Sequence, residues 1–470
     1  MVVVVVLVAL LVLAAVVAAN WYVWRRLFRD TTRAPGRVRR AGAALIAGGW
    51  ALAVGALAAE RAGAPFALQR ALAWPGFLWA ALSLYLLLAV VAGELLRPLL
   101  MRLPVRGARR AARTRGVPSE PSEEPVPASV TTPSGATSAS GASRPAPGSS
   151  RCVSGASRST PGSSRSAPGT GREQDGSPTP PRPPARPAPD TPASAGPTRR
   201  LFVSRVVAGA AAAAAAGTVG YGTYGVLRGP GVKRVTVPLA RLPRTADGFR
   251  IAVVSDIHLG PVLGRGFAQR VVDTVNATQP DLIAVVGDLV DGSVGDLGPA
   301  AAPLAGLRAR HGAYFVTGNH EYFSGAAQWV EEVRRLGLHP LENARTELPA
   351  FDLAGVNDVR GAGEGRGPDF GRALGGRDPA RACVLLAHQP VQIHEAVRHG
   401  VDLQLSGHTH GGQLWPGSLI AAAANPTVAG LERYGDTQLY VSRGAGAWGP
   451  PTRVGAPSDI TVIQLASREA

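Results

Sequence analysis

The sequence predicts a C-terminal α/β domain preceded by membrane-spanning helices and a low-complexity linker. Residues 1–102 hold three long apolar runs, and residues 103–197 are dominated by Pro, Ser, Gly, Thr, Ala and Arg. From Val235 onward, short β-branched runs alternate with stretches of helical periodicity. These changes in composition predict boundaries at residues 1–102, 103–197, 198–228 and 229–470.

The basic excess of the chain lies in its N-terminal half. The formal net charge of +17 would by itself suggest a nucleic-acid partner. Residues 1–228, however, hold 27 Lys+Arg against 9 Asp+Glu, whereas residues 229–470 hold 22 against 23. We therefore interpret the excess as a signal of membrane topology and expect no nucleic-acid partner.

The three N-terminal apolar runs, residues 2–23, 41–59 and 72–96, are long enough to cross a bilayer as helices. Arginines follow the first and the third run. The positive-inside rule therefore places the loop at residues 25–40 and the segment after Leu96 in the cytoplasm, and the loop at residues 60–70 outside. The alternative for the first run is a cleaved signal peptide, but no basic residues precede it.

The stretch at residues 103–197 contains scarcely any aliphatic side chains. Such a segment cannot bury enough apolar surface to offset its chain entropy, so we expect a disordered linker. Its arginines could bind RNA or anionic lipid. A solvated cytoplasmic tether is the favoured interpretation.

A fourth apolar run, residues 206–226, follows the pair Arg199-Arg200 and an aromatic residue, Phe202. This arrangement is typical of a twin-arginine signal, which would make the twin-arginine export machinery a partner. The alternative is an ordinary fourth transmembrane helix with basic cytoplasmic flanks. Both interpretations place the chain after Arg228 outside the cytoplasm.

All nine histidines lie in the C-terminal half, and several directly follow predicted strands. Strands are predicted at residues 250–255, 281–286, 313–317, 382–387, 403–406, 438–442 and 460–465, and helices at 267–278, 326–336 and 391–399. Open α/β sheets place their sites just beyond such strand ends. The chain holds only Cys152 and Cys383, so a metal here must use His, Asp or Asn ligands.

Five blocks of polar residues follow these strands. They are Asp256-Ile257-His258, Gly287-Asp288-Leu289-Val290-Asp291, Gly318-Asn319-His320-Glu321, His388 and Gly407-His408-Thr409-His410. Each block alone is weak evidence, because an Asp or His after a strand is often a cap or a surface residue. Together they bring hard and borderline ligands to one sheet edge, which suits a pair of divalent ions. The adjacent glycines let the backbone turn sharply there.

This order of motifs resembles the calcineurin-like metallophosphoesterase superfamily. The longer block that runs from Gly407 to Gln413 resembles its bacterial membrane-associated phosphodiesterase group, of the YkuE/YaeI type. The resemblance covers residues 250–465. It implies a four-layer α/β/β/α sandwich with two central sheets, and phosphoester hydrolysis with two divalent ions (Mn, Fe or Zn). The additional N-terminal helices and the linker depart from simpler members and leave partners and regulation open.

The resemblance also implies individual roles for nine residues. The ligands implied for the first ion are Asp256, His258 and His410, with Asp288 bridging the two ions. The ligands implied for the second ion are Asn319, His388 and His408. His320 would contact the phosphate and protonate the leaving oxygen, and Asp291 would orient a ligand or His320.

These roles match what phosphoester hydrolysis requires. The substrate is anionic and repels hydroxide, so two cations ~3.5–4 Å apart would neutralise charge and lower the pKa of water to ~7. An imidazole that binds no ion is then free to act as a general acid. No Ser or Cys nucleophile is required, and the chain has no Gly-x-Ser-x-Gly elbow.

The membrane anchor favours a lipid or cell-envelope phosphodiester or pyrophosphate as substrate. The alternatives are a phosphomonoesterase or nucleotide phosphodiesterase that acts on soluble substrates, or an inactive metal-binding scaffold. The complete ligand set and the intact His320 argue against the scaffold. Trp415 and Pro416 would either line a substrate groove or pack in the core. Arg360 would either bind phosphate or be an ordinary surface charge.

Overall fold

A computed structural model of the chain describes residues 2–102 and 198–468. The predicted linker at residues 103–197 lies outside the described residues.

Four helices in the described residues are long and apolar enough to cross a membrane. They are α1 (Val2–Trp24), α2 (Arg37–Arg61), α3 (Phe66–Arg102) and α4 (Arg199–Leu227). The third helix extends beyond the apolar run on both sides and includes Pro75 and Pro98. Thr198 caps α4 by accepting a hydrogen bond from the Leu201 amide.

Small residues bring α2 and α3 close together. A Cβ atom on Gly76 would lie 2.5 Å from the Leu52 carbonyl oxygen, and one on Gly49 would overlap the Trp79 ring. Only glycine allows backbones to approach this closely, as is common between membrane helices. Near the C-terminal end of α3, Glu94 lies 3.0 Å from Arg26 and 3.3 Å from Arg97. The helices therefore form one packed unit.

The C-terminal domain contains two six-stranded sheets. The first has the order β1-β12-β2-β3-β4-β5 and the second β10-β11-β9-β8-β7-β6. The strands of the first sheet are β1 (Gly231–Leu239), β2 (Arg250–Val254), β3 (Leu282–Val286), β4 (Ala313–Val316), β5 (His339–Pro340) and β12 (Asp459–Ser467). The strands of the second are β6 (Ala344–Glu347), β7 (Phe351–Gly355), β8 (Ala382–Leu386), β9 (Leu403–Ser406), β10 (Gly430–Tyr434) and β11 (Thr437–Val441).

Parallel pairing sets where the strand ends meet. In the first sheet β2, β3, β4 and β5 run parallel, and in the second β7, β8, β9 and β11 do. The carboxyl ends of neighbouring strands therefore lie together at one edge of each sheet. The loops that follow them carry the polar blocks identified in the sequence.

Three apolar cores separate four layers of structure. One core lies between the sheets and includes Val253, Val286 and Leu405. A second packs the first sheet against α5 (Arg265–Ala277), α6 (Val294–Ala301) and α8 (Ala326–Arg335), which follows the short α7 (Asn319–Ser324). A third packs the second sheet against α9 (Phe370–Leu374) and α10 (Ile393–Arg398). The predicted fold class, an α/β/β/α sandwich after apolar helices, is confirmed.

The spacing of their buried residues explains why these helices form. In α8 the buried residues Ala326, Trp329, Val330 and Val333 recur at helical spacing, and Arg334 and Arg335 lie in the last turn. The Trp329 indole also donates a hydrogen bond to the Gly292 carbonyl, 2.8 Å away, and so ties the helix to the loop after β3.

The membrane-type helices contact the domain directly. The Tyr85 hydroxyl donates to the Trp415 carbonyl at 3.0 Å, and the Thr223 and Thr452 hydroxyls lie 2.7 Å apart. A Cβ atom on Gly222 would lie 2.6 Å from the Arg453 carbonyl oxygen. The domain therefore rests against α3 and α4.

Candidate metal centre

Five loops bring the predicted site residues together at the carboxyl ends of the strands. Three of the loops follow β2, β3 and β4 in the first sheet, and two follow β8 and β9 in the second. Because the two sheets face each other across the central core, all five loops meet at one end of the sandwich.

The first group of side chains contains Asp256, His258 and His410, which are all buried. The Nε2 atoms of His258 and His410 lie 3.0 Å apart. His410 Nε2 also lies 3.4 Å from Asp256 Oδ1. Two imidazole nitrogens and a carboxylate oxygen that converge in this way form a ligand set suited to a divalent cation.

The second group contains Asp288, His388 and His408. His388 Nε2 lies 3.1 Å from Asp288 Oδ2, and the His388 and His408 rings are 5.2 Å apart. The same Asp288 oxygen lies 3.7 Å from His258 Nε2 of the first group. Asp288 is thus the carboxylate that lies between the two groups.

Asn319, the remaining predicted ligand, begins α7 beside Asp288. The amide of the next residue, His320, donates to Asp288 Oδ1 at 2.9 Å. Within the described residues, the buried Asn319 Oδ1 atom has no hydrogen-bond partner, and the buried His388 Nε2 atom has only its ionic contact with Asp288, at 3.1 Å. An unpaired buried polar atom costs about 1–3 kcal/mol, and a cation held by these atoms would remove that cost. The donor atoms of these residues are therefore suited to binding a metal ion.

Asp291 contacts two histidines through one oxygen. Its Oδ1 lies 2.9 Å from His258 Nδ1 and 2.7 Å from His320 Nδ1. Burial disfavours the charged carboxylate, but the charges and hydrogen bonds of both histidines outweigh burial and lower the pKa of Asp291 to about 2. An ionised Asp291 keeps the proton of His258 on Nδ1 and leaves Nε2 free for a metal.

The pKa of His320 is raised to about 9. Burial opposes its charged form, but the hydrogen bond and charge of Asp291 outweigh that effect. His320 is therefore protonated at neutral pH. His320 also forms, with His258 and Asp291, a third group of potential ligands. It belongs to neither the first group nor the second, and it can hold a proton at a position facing the cavity.

The ligand histidines differ in charge. Burial and the charge of His388 lower the pKa of His408 to about 4, and burial and His258 lower that of His410 well below its ordinary value. Both rings are therefore neutral. For the buried pair His388 and Asp288, mutual attraction outweighs burial, raising the histidine pKa and lowering that of the carboxyl. A bound cation would take the place of the proton on His388.

Arg453 holds the His410 ring from behind. Its guanidinium is buried and donates to the Gly446 and Ala456 carbonyls. Its Nη2 lies 3.0 Å from His410 Nδ1. Because Arg only donates, this contact leaves the proton of neutral His410 on Nε2. Metal binding at Nε2 would have to displace that proton.

The backbone is strained where the ligands attach. Within the described residues the non-glycine residues with positive φ are Asp256, His258, Gln279, Asp288, Asn343, His408, His410 and Gln413. Five of these are predicted ligands. Left-handed backbone is costly for such residues and persists where the surrounding structure imposes it, as at functional sites.

Two glycines allow the loops to approach so closely. A Cβ atom on Gly318 would lie 2.3 Å from Asp288 Oδ1, and one on Gly407 would lie 2.4 Å from Asp256 Oδ2. Any side chain at either position would displace a predicted ligand.

Glu321 braces the loops and was not assigned a role from the sequence, although it belongs to the Gly318–Glu321 block. Its buried carboxylate accepts the amides of Asp288, Leu289 and Gly318 at 3.0, 2.7 and 2.6 Å. Burial raises its pKa to about 7. The residue fixes the loop after β3 relative to the loop after β4.

The ligand groups open onto a cavity of about 820 Å³. From the domain it is lined by Asp288, Asp291, Gly292, Ser293, Asp296, Asn319, His320, Phe323, Ser324, His408, His410 and Trp448. From the helices it is lined by Leu57, Glu60, Arg61, Gly63, Phe66 and Gln69. No local sequence pattern points to Phe323, Trp448 or the helical residues, because their contribution depends on long-range packing.

The remaining candidates, Trp415, Pro416 and Arg360, do not themselves line the cavity. Trp415 is 55% exposed, and its carbonyl contacts Tyr85, so it neither lines the cavity nor packs in the core. Arg360 is exposed and lies over the ring of the cavity residue Phe323, 4.9 Å from its centroid.

Comparison with known proteins points to one family. The profile described as calcineurin-like phosphoesterase matches residues 249–412. A transmembrane protein with metallophosphoesterase domain from Danio rerio is 38% identical over 259 residues, which are 52% of this chain and 59% of that protein. An uncharacterized metallophosphoesterase from Aquifex aeolicus is 33% identical over 242 residues, covering 50% of this chain and 92% of that protein.

The uncharacterized metallophosphoesterase YkuE of Bacillus subtilis is 30% identical over 284 residues, covering 57% of this chain and 98% of that protein. In contrast, this chain spans only 59% and 57% of the length of the transmembrane relatives from Danio rerio and Bos taurus. The similarity to each of these four relatives involves roughly half of this chain.

Proposed function

The chain belongs to the calcineurin-like phosphoesterase family, in its YkuE-type group, and from that premise we propose that it hydrolyses a lipid or cell-envelope phosphoester outside the cytoplasm. We take the bond to be a phosphodiester or pyrophosphate. One observation carries the proposal: the two ligand groups joined by Asp288 open onto the same cavity as His320.

We propose a dinuclear centre. Asp256, His258 and His410 would hold one divalent ion, Asn319, His388 and His408 the other, and Asp288 both. Mn, Fe and Zn all suit this donor set of imidazole, carboxylate and amide oxygen. Such ions would supply positive charge for the phosphate and lower the pKa of a water molecule for attack.

His320 would act as the general acid. A protonated imidazole beside the cavity can give its proton to the departing oxygen, which is a poor leaving group when it is an alkoxide. Asp291 would position the ring through the 2.7 Å contact and keep it charged until transfer. The same carboxylate would set the His258 tautomer, so one residue would serve both binding and proton transfer.

The distribution of charge supports a multi-pass membrane protein with an external domain. Arg26, Arg97 and Arg205 lie at the end of the bundle away from the domain; Arg205 donates to the Thr31 carbonyl at 3.0 Å. The α2–α3 turn lies at the domain end. By the positive-inside rule, the arginine-rich end would face the cytoplasm.

We propose that α4 is retained as a fourth membrane helix. Its packing against α3, through the Arg97–Ser204 contact of 3.1 Å, favours retention over cleavage of a twin-arginine signal. Reporter fusions test this topology: a fusion after Gly107 should read as cytoplasmic and one after Leu465 as external. A cytoplasmic signal from the second fusion would refute external action.

Turnover by the purified full chain in nanodiscs tests the activity. The metal-stripped protein would be reloaded with Mn, Zn or Fe and assayed on a lipid diphosphate, a phospholipid, bis(p-nitrophenyl) phosphate and p-nitrophenyl phosphate. Metal-dependent hydrolysis of the lipid esters is expected: the lipid diphosphate would release phosphate, and the phospholipid would give an alcohol and a phosphomonoester. Preference for the soluble monoester or the soluble diester over the lipid esters would favour the alternative substrates, and no turnover of any ester would favour an inactive scaffold.

A further inference from the structure

The α2–α3 turn, here residues 57–69, forms one wall of the cavity, although it is far from the domain in sequence. Leu57, Glu60, Arg61, Gly63, Phe66 and Gln69 line the same 820 Å³ space as His320 and Asp288. His320 and Asp288 therefore face the same cavity as the α2–α3 turn.

The turn is held firmly in place. Gln69 is buried, and its side chain donates to the Ala64 carbonyl at 2.7 Å. The Ala64 amide in turn donates to the Ala59 carbonyl at 2.9 Å. Phe66 packs against the core beneath the first sheet. The turn is thus a fixed wall.

The wall changes from polar to apolar along α2. Glu60 and Arg61 lie at the end of the helix, and Leu57, 41% exposed, lies about one turn, or ~5 Å, further along it toward the bundle interior. On the opposite side, Phe323 and Trp448 are 62% and 47% exposed. Exposed apolar side chains around a cavity of this size indicate an apolar ligand portion.

We propose that the α2–α3 turn binds the lipid portion of an amphiphilic phosphoester and so determines the specificity of the enzyme. Leu57 and Phe66 contact the first carbons of the hydrocarbon chain, and Glu60 and Arg61 lie beside the polar head group. The phosphoester then reaches His320 while the chain extends along α2. This assignment rests on the proposed phosphoesterase function and adds the source of its selectivity.

The double substitution Leu57→Ala with Phe66→Ala tests the wall. The full-length protein in nanodiscs would be assayed on a lipid phosphoester and on bis(p-nitrophenyl) phosphate, which has no hydrocarbon chain. Removing two apolar contacts should lower the lipid-to-soluble ratio of kcat/KM by about tenfold or more. The matched control is Leu95→Ala with Leu99→Ala, since these residues are 78% and 60% exposed at the other end of α3. An unchanged ratio in the test variant would overturn the proposal.

Cysteine labelling provides a second measurement that does not depend on turnover. Arg61→Cys would be made in a Cys152→Ser background, where the only other thiol, Cys383, is buried. Lipid phosphoester in the nanodisc should slow maleimide labelling of the new thiol, and the soluble ester should not. Equal labelling with and without lipid would refute lipid binding at the turn. Protection without any hydrolysis would instead refute the proposed activity alone.

Discussion

The two walls of the cavity are built in different ways. The strand-end wall consists of largely buried ionisable side chains that contact one another within 2.7–3.7 Å, five of them on left-handed backbone. The helical wall consists of partly exposed side chains on two regular helices joined by a short turn. Reactive groups need fixed positions and shared protons, whereas selection of a hydrocarbon chain needs only shape and polarity. Activity should therefore be sensitive to single-atom substitutions in the strand-end wall. In the helical wall it should be sensitive only to changes in side-chain size.

The sharpest contrast should come from Asp288→Asn. Asp288 is the carboxylate between the two ligand groups, so both lose charge at once. Loss of one partner of a buried charged pair costs about 3–5 kcal/mol, which corresponds to ~10²- to 10⁴-fold weaker metal binding. Metal content and turnover should fall together, as measured by elemental analysis beside kinetics. The control is Asp273→Asn, an exposed carboxylate on α5. Full metal content in Asp288→Asn would contradict the assignment.

His320→Ala should separate proton transfer from metal binding. We expect the metals to be retained and turnover to fall by ~10²–10⁴-fold, the range for loss of a general acid. The loss should be smaller for nitrophenolate esters, because that leaving group hardly needs protonation. Metal content and turnover of good and poor leaving groups are the measurements. Equal losses on both substrates, or loss of metal, would exclude His320 as the acid.

The pH profile should identify the partner of His320. Its pKa is raised to about 9, so the acid is protonated below that value. Turnover of an alkyl ester should therefore decline as the pH rises toward about 9, or somewhat lower once bound cations repel the proton. Asp291→Asn removes the main cause of the raised pKa, so the decline should move to lower pH. If turnover declines at the same pH in the wild type and in Asp291→Asn, then Asp291 does not control the protonation of His320.

The smallest effect is expected for Tyr85→Phe, where the helices meet the domain. The substitution removes the hydroxyl that donates to the Trp415 carbonyl at 3.0 Å. One such hydrogen bond contributes about 0.5–1.5 kcal/mol. The thermal midpoint in nanodiscs should fall slightly, while metal content and turnover of the soluble ester stay the same. Tyr221→Phe, at a residue that is 79% exposed, is the control. An equal midpoint in both variants would mean that the contact does not stabilise the assembly.

Most central strands were predictable because their burial is complete and local, although β7 was missed despite being buried along its whole length. All residues of β3 and β8 are buried, so their β-branched and aliphatic runs stand out in the sequence. The edge strands β1 and β10 were missed. They carry exposed charges such as Arg234 and Arg433, which protect an edge from further pairing but also hide the strand pattern. The alternating strand and helix pattern is therefore recognisable only from Val235, which lies inside β1.

The candidate ligands could be named from the sequence because each follows its strand within a few residues. Their contacts could not be derived in this way. The sequence left open whether Asp291 orients a ligand or His320, and the structure places one of its oxygens against both His258 and His320. Arg453 and Trp448 reach the site through tertiary packing, and no local pattern distinguishes them from other polar or aromatic residues.

The short connection between α4 and β1 affects how the enzyme would meet its substrate. The helix ends at Leu227, β1 begins at Gly231, and the Gly231 amide donates at once to the Ser458 carbonyl. With so little chain between them, the catalytic domain cannot tumble independently of the bundle. A substrate anchored in the same bilayer then arrives by two-dimensional diffusion. Its mole fraction among the surrounding lipids, and not its bulk concentration, would set the encounter rate, so dilution with inert lipid should slow turnover at constant total substrate.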